Sequence, residues 1–219
     1  MNALQKFLSY LFPVLLERVG GDLEHQLSVY LDKGKLKLYT EETNYSFGQL
    51  HRVFQNALKG IVYKEKEDSK ILILGFGAGS IASIIRQELN IKSPMIGVEL
   101  DKVVLDLYKR YFSTTHTNLS IVHTDAFKFV TQSQDKFDLI LIDLFVDQEL
   151  PEFCTSSEFM KGVAAILDVT GTVVFNTIES TLAMDRFEKS LGNSFIIQNK
   201  KKIFGQNCVY ILKKTTENH

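Results

Sequence analysis

Ile71-Leu72-Ile73-Leu74-Gly75-Phe76-Gly77-Ala78-Gly79-Ser80 is the stretch that decides the fold. Four aliphatic residues in a row read as a strand buried on both faces. The glycines that follow turn the chain sharply and let backbone approach a ligand, before a helix near Ser80–Leu89. A second strand, Met95–Glu99, ends on an acid about twenty residues after the loop, which completes a nucleotide-binding pattern.

The spacing of the glycines is informative. The dinucleotide fingerprint wants Gly-x-Gly-x-x-Gly/Ala, and its last position falls here on Ser80. Gly75-x-Gly77-x-Gly79 is instead the spacing of the S-adenosylmethionine (AdoMet) fold. Gly75, Gly77, Ala78 and Gly79 are therefore expected to cradle an AdoMet-type nucleoside, with Glu99 accepting from both ribose hydroxyls. The alternative is a tight turn beside a surface acid.

Outward from the loop, strands and helices alternate. A helix follows Asp101, with Val104, Leu107, Tyr108 and Tyr111 on one face, and strands are expected at Leu119–His123 and Asp138–Asp143. A helix capped by Thr155 and Glu158 ends before Gly171. The strand Thr172–Asn176, the helix Thr181–Leu191 with its stop at Gly192, and strands Phe195–Gln198 and Asn207–Lys213 joined by a basic turn complete the chain. Repeated βα units imply an α/β fold with a doubly wound, mostly parallel, seven-stranded sheet whose last strand is antiparallel.

Two further acids end strands on the same rim. Asp125, with Ala126 beside it, would meet an adenine amino group; Asp143 stands where the transferred group should meet its acceptor. A loop or capping acid is the plainer alternative for each. His123 reads as structural.

The residues before the loop form a smaller unit. Leu27, Val29 and Leu31 alternate with polar neighbours, Asp32-Lys33-Gly34-Lys35 supplies a turn, and Leu36 and Leu38 resume the alternation, so a half-buried hairpin is expected over 22–40. Ser46 and Gln49 have capping-box spacing ahead of a helix with Leu50, Val53, Phe54, Ala57 and Leu58 inward. Lys64–Lys70 reads as a solvated linker, dividing the chain into 1–63, an N-terminal helix, hairpin and helix, and 70–214, the nucleoside-binding domain. The apolar run Phe7–Leu16 is expected to be a packed or interface helix, because it is far below the roughly 20 residues of a membrane span and no small-x-small cleavage site follows.

Composition narrows the function classes. The 219 residues are 45% hydrophobic and 23% charged, with a formal net charge of −1, so nothing global points to nucleic acid. Lys200-Lys201-Lys202 reads as a charged turn, and no Asn/Asp-Pro-Pro-Tyr/Phe segment suggests methylation of DNA bases. Cys154 and Cys208, without a pairing pattern, fit a reducing, cytoplasmic setting. No metal-ligand spacing occurs, and neither a membrane nor a nucleic-acid partner is expected.

The hairpin with Gly34, the segment Asn44-Tyr45-Ser46-Phe47-Gly48-Gln49-Leu50-His51, the glycine loop and the strand Phe137–Asp143 together resemble the spermidine synthase family over residues 25–190. The resemblance implies an AdoMet-type fold, aminopropyl transfer from decarboxylated AdoMet to putrescine, and a homodimer through the N-terminal helix and hairpin. Departures accompany it. The family's loop carries an acid, which helps hold the donor's amine, where this chain has Ala78. Its paired acids at the active strand end are three apart, but Asp143 and Asp147 are four apart, followed by Gln148 rather than proline.

Those acids count, because an amine near pKa 10 is about one part in a thousand neutral at pH 7, a cost of roughly 4 kcal/mol before attack. Ala78 and the apolar Leu144-Phe145-Val146 therefore put methyl transfer from intact AdoMet to a small-molecule acceptor first. Aminopropyl transfer, with Asp143 as base and Asp147 or Glu149 as amine anchor, comes second, and a non-catalytic nucleoside-binding protein third.

Overall fold

The computed structural model describes residues 2–22, 26–40, 49–59, 61, 63–113, 117–145, 149–178, 181–203 and 206–215. The segment Ser46–Gly48, with the expected capping serine, lies outside them, as does Asp147.

The larger sheet has seven strands in the order β6-β5-β4-β7-β8-β10-β9. Strands β4 (Ile71–Leu74), β5 (Met95–Glu99), β6 (Leu119–His123), β7 (Phe137–Ile142) and β8 (Leu167–Ile178) run parallel. β10 (Asn207–Lys214) lies antiparallel between β8 and β9 (Phe195–Lys202). Chain order reverses between β4 and β7, and a crevice opens at such a switch point, outside the carboxyl ends of the strands.

Period-2 alternation assigns the two faces. Ile71, Ile73, Leu139 and Leu141 belong to one core with α2 (Gln49–Leu58), the helix that starts at Ser80, and the helix after Asp101. Leu72, Leu74, Ile140 and Ile142 belong to the other, with α5 (Ala126–Gln132), α6 (Ser157–Ile166) and α7 (Thr181–Leu191). The helices after the first two strands each begin as α, in α3 (Ser80–Ser83) and α4 (Lys102–Leu107), and continue as a π turn, Ile84–Glu88 and Tyr108–Phe112.

The N-terminal sheet has three antiparallel strands, β1 (Val14–Gly20), β2 (Gln26–Asp32) and β3 (Lys35–Tyr39), where a hairpin alone was expected. The β2–β3 turn is two residues long, with Lys33 at φ +50° and Gly34 at φ +73°, the left-handed pair that suits a tight hairpin. Leu27, Val29 and Leu38 from this sheet reach the first core.

Several expectations need correction. Phe7–Leu16 is not one packed helix: α1 (Ala3–Leu8) buries no residue, and the chain becomes β1 at Val14. α1 has already ended at Leu8, and Pro13, which lacks an amide proton and disfavours helical backbone at Phe12, bars any helix from running through to Leu16. Ser156, not Thr155, caps α6, accepting from the Phe159 amide, while Thr155 closes a short 3-10 turn. Lys200–Lys202 lie within the exposed edge strand β9 rather than in a turn; lysines discourage edge-to-edge pairing there. Among the described residues, no helix is long and apolar enough to cross a membrane.

Candidate functional site

Strand register aligns the candidate residues. Leu74 pairs with Val98 on one side and Ile142 on the other, so the next residues, Gly75, Glu99 and Asp143, stand level at the carboxyl edge. Asp125, just beyond β6, and Asn176, near the end of β8, continue the row.

Gly75, Gly77 and Gly79 have φ of +81°, +56° and +84°, a conformation that a β-carbon makes costly. The turn is pinned from below. Gly75 and Phe76 amides both donate to the Val98 carbonyl, and the Phe76 ring meets Tyr108 edge-on at 4.9 Å. Gly97 makes room for that ring, since a Cβ there would lie 2.4 Å from it. Ala78 is fully buried within the first core, so its methyl group serves packing.

Glu99 is buried, and its carboxylate does structural work that the sequence reading omitted. Oε2 accepts from the Gly77 amide at 2.8 Å; Oε1 accepts from the Leu100 and Asp101 amides at 2.8 and 3.0 Å. Burial still outweighs these bonds and raises its pKa. A carboxylate offers about four acceptor positions, so these three bonds leave about one, on Oε2.

Asp125 is a helix cap. Its Oδ1 caps α5 by accepting from the Lys128 amide at 2.8 Å, and it remains half-buried at the rim beside Ala126. The helix it caps was not expected from the sequence.

Asp143 is half-buried, and burial pushes its pKa up to about 6, with the bond from Asn176 acting the other way. Asn176 Nδ2 donates to Asp143 Oδ1 at 2.9 Å, and Asn176 Oδ1 is buried with no partner among the described residues. An orphaned acceptor beside a raised carboxyl is a demand for a donor that a ligand N–H or a water can meet. Glu149, the other candidate anchor, is exposed.

Sequence reasoning missed three participants. Asn176 is a polar residue ending an apolar strand, a signal that was present. Asp101 is fully buried, capping α4 through the Val103 and Val104 amides. Its Oδ2 also accepts from the Asp22 amide, while Asp22 accepts from the Lys102 amide, which joins the N-terminal sheet to the turn after Glu99. His51 on α2 bonds Ser80 and Glu88. Among the described residues, no cluster could hold a metal ion.

The Spermine/spermidine synthase domain model matches residues 52–212. The polyamine aminopropyltransferase of Vibrio vulnificus (strain CMCP6) is 33% identical over 132 residues, covering 58% of this chain and 44% of that protein. The polyamine aminopropyltransferase of Hydrogenobaculum sp. (strain Y04AAS1) is 27% identical over 145 residues, covering 63% and 51%. The chain thus spans about half the length of these curated relatives. Among solved structures, a probable spermidine synthase from Corynebacterium glutamicum superposes with a TM-score of 0.69 at 16% identity, covering 93% of this chain and 81% of that one. Human methyltransferase-like protein 13 in complex with SAH superposes with a TM-score of 0.61 at 19% identity, covering 78% and 85%. At these identities the likeness is one of fold, and the fold serves both kinds of protein.

Proposed function

Because the chain belongs to the spermine/spermidine synthase family, we propose that it transfers an aminopropyl group from decarboxylated AdoMet to a small-molecule amine. The observation that carries this reading is Asp143, a half-buried carboxyl with a pKa near 6, level with the glycine turn and bonded to Asn176. At neutral pH it is ionised and able to take a proton, within the range where general bases are effective. Its partner in the reaction is an amine that must lose a proton as it attacks.

In this reading residues 70–214 hold the donor, and the described part of residues 1–63 packs against them through α2 and Asp22. The amine nitrogen forms a bond to the propyl carbon next to the sulfonium. The carbon–sulfur bond breaks with its electron pair going to sulfur, so methylthioadenosine leaves neutral, and the nitrogen's proton passes to Asp143. Gly75, Gly77 and Gly79 admit the nucleoside to the backbone, Glu99 Oε2 takes one ribose hydroxyl, and Asp125 faces the base. Asp147 is the candidate second amine anchor. Leu4, Phe7, Leu11 and Phe12 are exposed on and beyond α1 and would be covered by a second copy of the chain.

Family membership supports this reading over methyl transfer from AdoMet, which Ala78 had put first. With Ala78 packed in the core, its lack of charge ceases to be evidence about the donor. The test is product release. Methylthioadenosine formed from decarboxylated AdoMet and putrescine or another diamine is expected. S-adenosylhomocysteine formed from AdoMet, or tight nucleoside binding with no turnover on any amine, would overturn the reading.

A further inference from the structure

Ser80, His51 and Glu88 form a hydrogen-bonded chain beside the glycine turn. Ser80 carries the first side chain after Leu74 with a hydrogen-bonding atom, since Gly75, Phe76, Gly77, Ala78 and Gly79 have none. Its hydroxyl lies 2.8 Å from His51 Nδ1 on α2, and His51 Nε2 lies 2.8 Å from Glu88 Oε1 in the π turn. Gln55, one turn after His51, donates from Nε2 to Glu88 Oε2 at 2.7 Å. Three side chains from two helices thus fix the position of one buried hydroxyl.

The polarity of the chain follows from its far end. Burial opposes the charge on Glu88, but the bonds from Gln55 and His51, with Lys59 nearby, hold its pKa below the usual glutamate range. An ionised Glu88 can only accept, so in its neutral form His51 carries its proton on Nε2 and offers Nδ1 as an acceptor. The Ser80 hydroxyl is then the donor to Nδ1. Toward anything else it presents lone pairs alone, and its bond to an imidazole that is itself bonded to a carboxylate makes it a stronger acceptor.

We propose that Ser80, oriented by His51 and Glu88, receives the cationic amine at the end of the donor's propyl chain; this rests on the aminopropyl reading above. An alkylammonium has three N–H donors and no acceptor, so it matches a hydroxyl that can only accept. The other acids of the row have different tasks. Glu99 is largely occupied by backbone amides, and Asp143 is bonded to Asn176. Glu88 adds negative charge behind the hydroxyl without sitting in the turn itself.

Methylthioadenosine, which has the nucleoside and sulfur but no propylamine, isolates this contact. Affinities of both ligands would be measured by calorimetry on the full chain and on Ser80→Ala and His51→Phe. Ser80→Ala is expected to weaken decarboxylated AdoMet about tenfold, the scale of one hydrogen bond to a charged group, and methylthioadenosine less than twofold. His51→Phe should show the same selectivity with a loss of at least threefold. Unchanged methylthioadenosine binding reports that each variant is folded.

An equal loss for both ligands, or no loss for the charged one, overturns the assignment. Selective loss in Ser80→Ala without it in His51→Phe overturns the role of the relay. Failure of the parent chain to bind either ligand would instead sink the nucleoside reading, and this inference with it.

Discussion

A Cβ placed on Gly75 would stand 2.2 Å from the backbone carbonyl oxygen of Asp143. The glycine turn and the residue proposed as the base are therefore in direct main-chain contact. Neither can shift without the other, because Asp143 is also tied through its amide to the Leu74 carbonyl, one residue before Gly75.

Gly75→Ala is accordingly expected to be severe. The left-handed backbone costs a β-carbon roughly 1–2 kcal/mol, and the clash with main chain adds to it. Urea unfolding should show a loss of about 2–4 kcal/mol, at the upper end for point substitutions, with methylthioadenosine binding abolished. A variant within 0.5 kcal/mol of the parent, on the order of a neutral surface change, would mean that the turn is not held as described.

Asp143→Asn should separate binding from turnover. Removing a positioned base lowers rate by about 10²–10⁴-fold, whereas methylthioadenosine affinity should hold. The parent's rate should fall as pH drops through about 6, where the carboxyl takes up a proton.

The same carboxyl makes an opposite prediction for stability. Its folded pKa of about 6 lies above that of an unfolded aspartate, so the folded state holds the extra proton between about pH 4 and 6. Stability from this group is present below that window and lost as pH rises through it. Asp143→Asn should therefore match the parent near pH 4 and exceed it by up to about 3 kcal/mol at pH 7. Denaturant titrations at the two pH values read the difference directly.

Glu99→Gln tests a residue with two duties. A glutamine oxygen can replace only one of the two carboxylate oxygens, so at least one backbone amide loses its partner. The expected cost is about 1–3 kcal/mol in stability, with a further 1–3 kcal/mol in methylthioadenosine binding. An unchanged affinity would remove Glu99 from the nucleoside site.

Asp101→Ala should cost about 1–2 kcal/mol through loss of the α4 cap. It also removes the acceptor of the Asp22 amide. Hydrogen exchange at Asp22 should quicken, and protection there equal to the parent's would contradict the link between the two sheets.

Much of the fold was legible because it is local. The unbroken Ile71–Leu74 run, Met95–Glu99, Leu119–His123 and Thr181–Leu191 have the bounds that periodicity and punctuation predict. β1 was hidden because Val14-Leu15-Leu16 continues an apolar run that starts in α1, and only Pro13 separates them. The helix after Asp125 was hidden because a capping acid and a ligand acid look alike in one dimension. Glu99 and Asp143 could be singled out as candidates because each stands at the carboxyl end of a strand. Asn176 carried the same kind of signal and was passed over, and His51 carried none, since the partners that define them lie 33 and 29 positions away.

The π turn at Ile84–Glu88 makes the site tolerant of one change in chain length and sensitive to another. A π turn holds about one residue more than an α turn, so deleting one residue within it would let the helix rewind to α geometry with Glu88 still on the side of His51. Inserting one residue into the α stretch Ser80–Ser83 and keeping its α winding would instead turn Glu88 by about 100° about the axis relative to Ser80. That insertion, with every named side chain still present, would disconnect the hydroxyl from its charge.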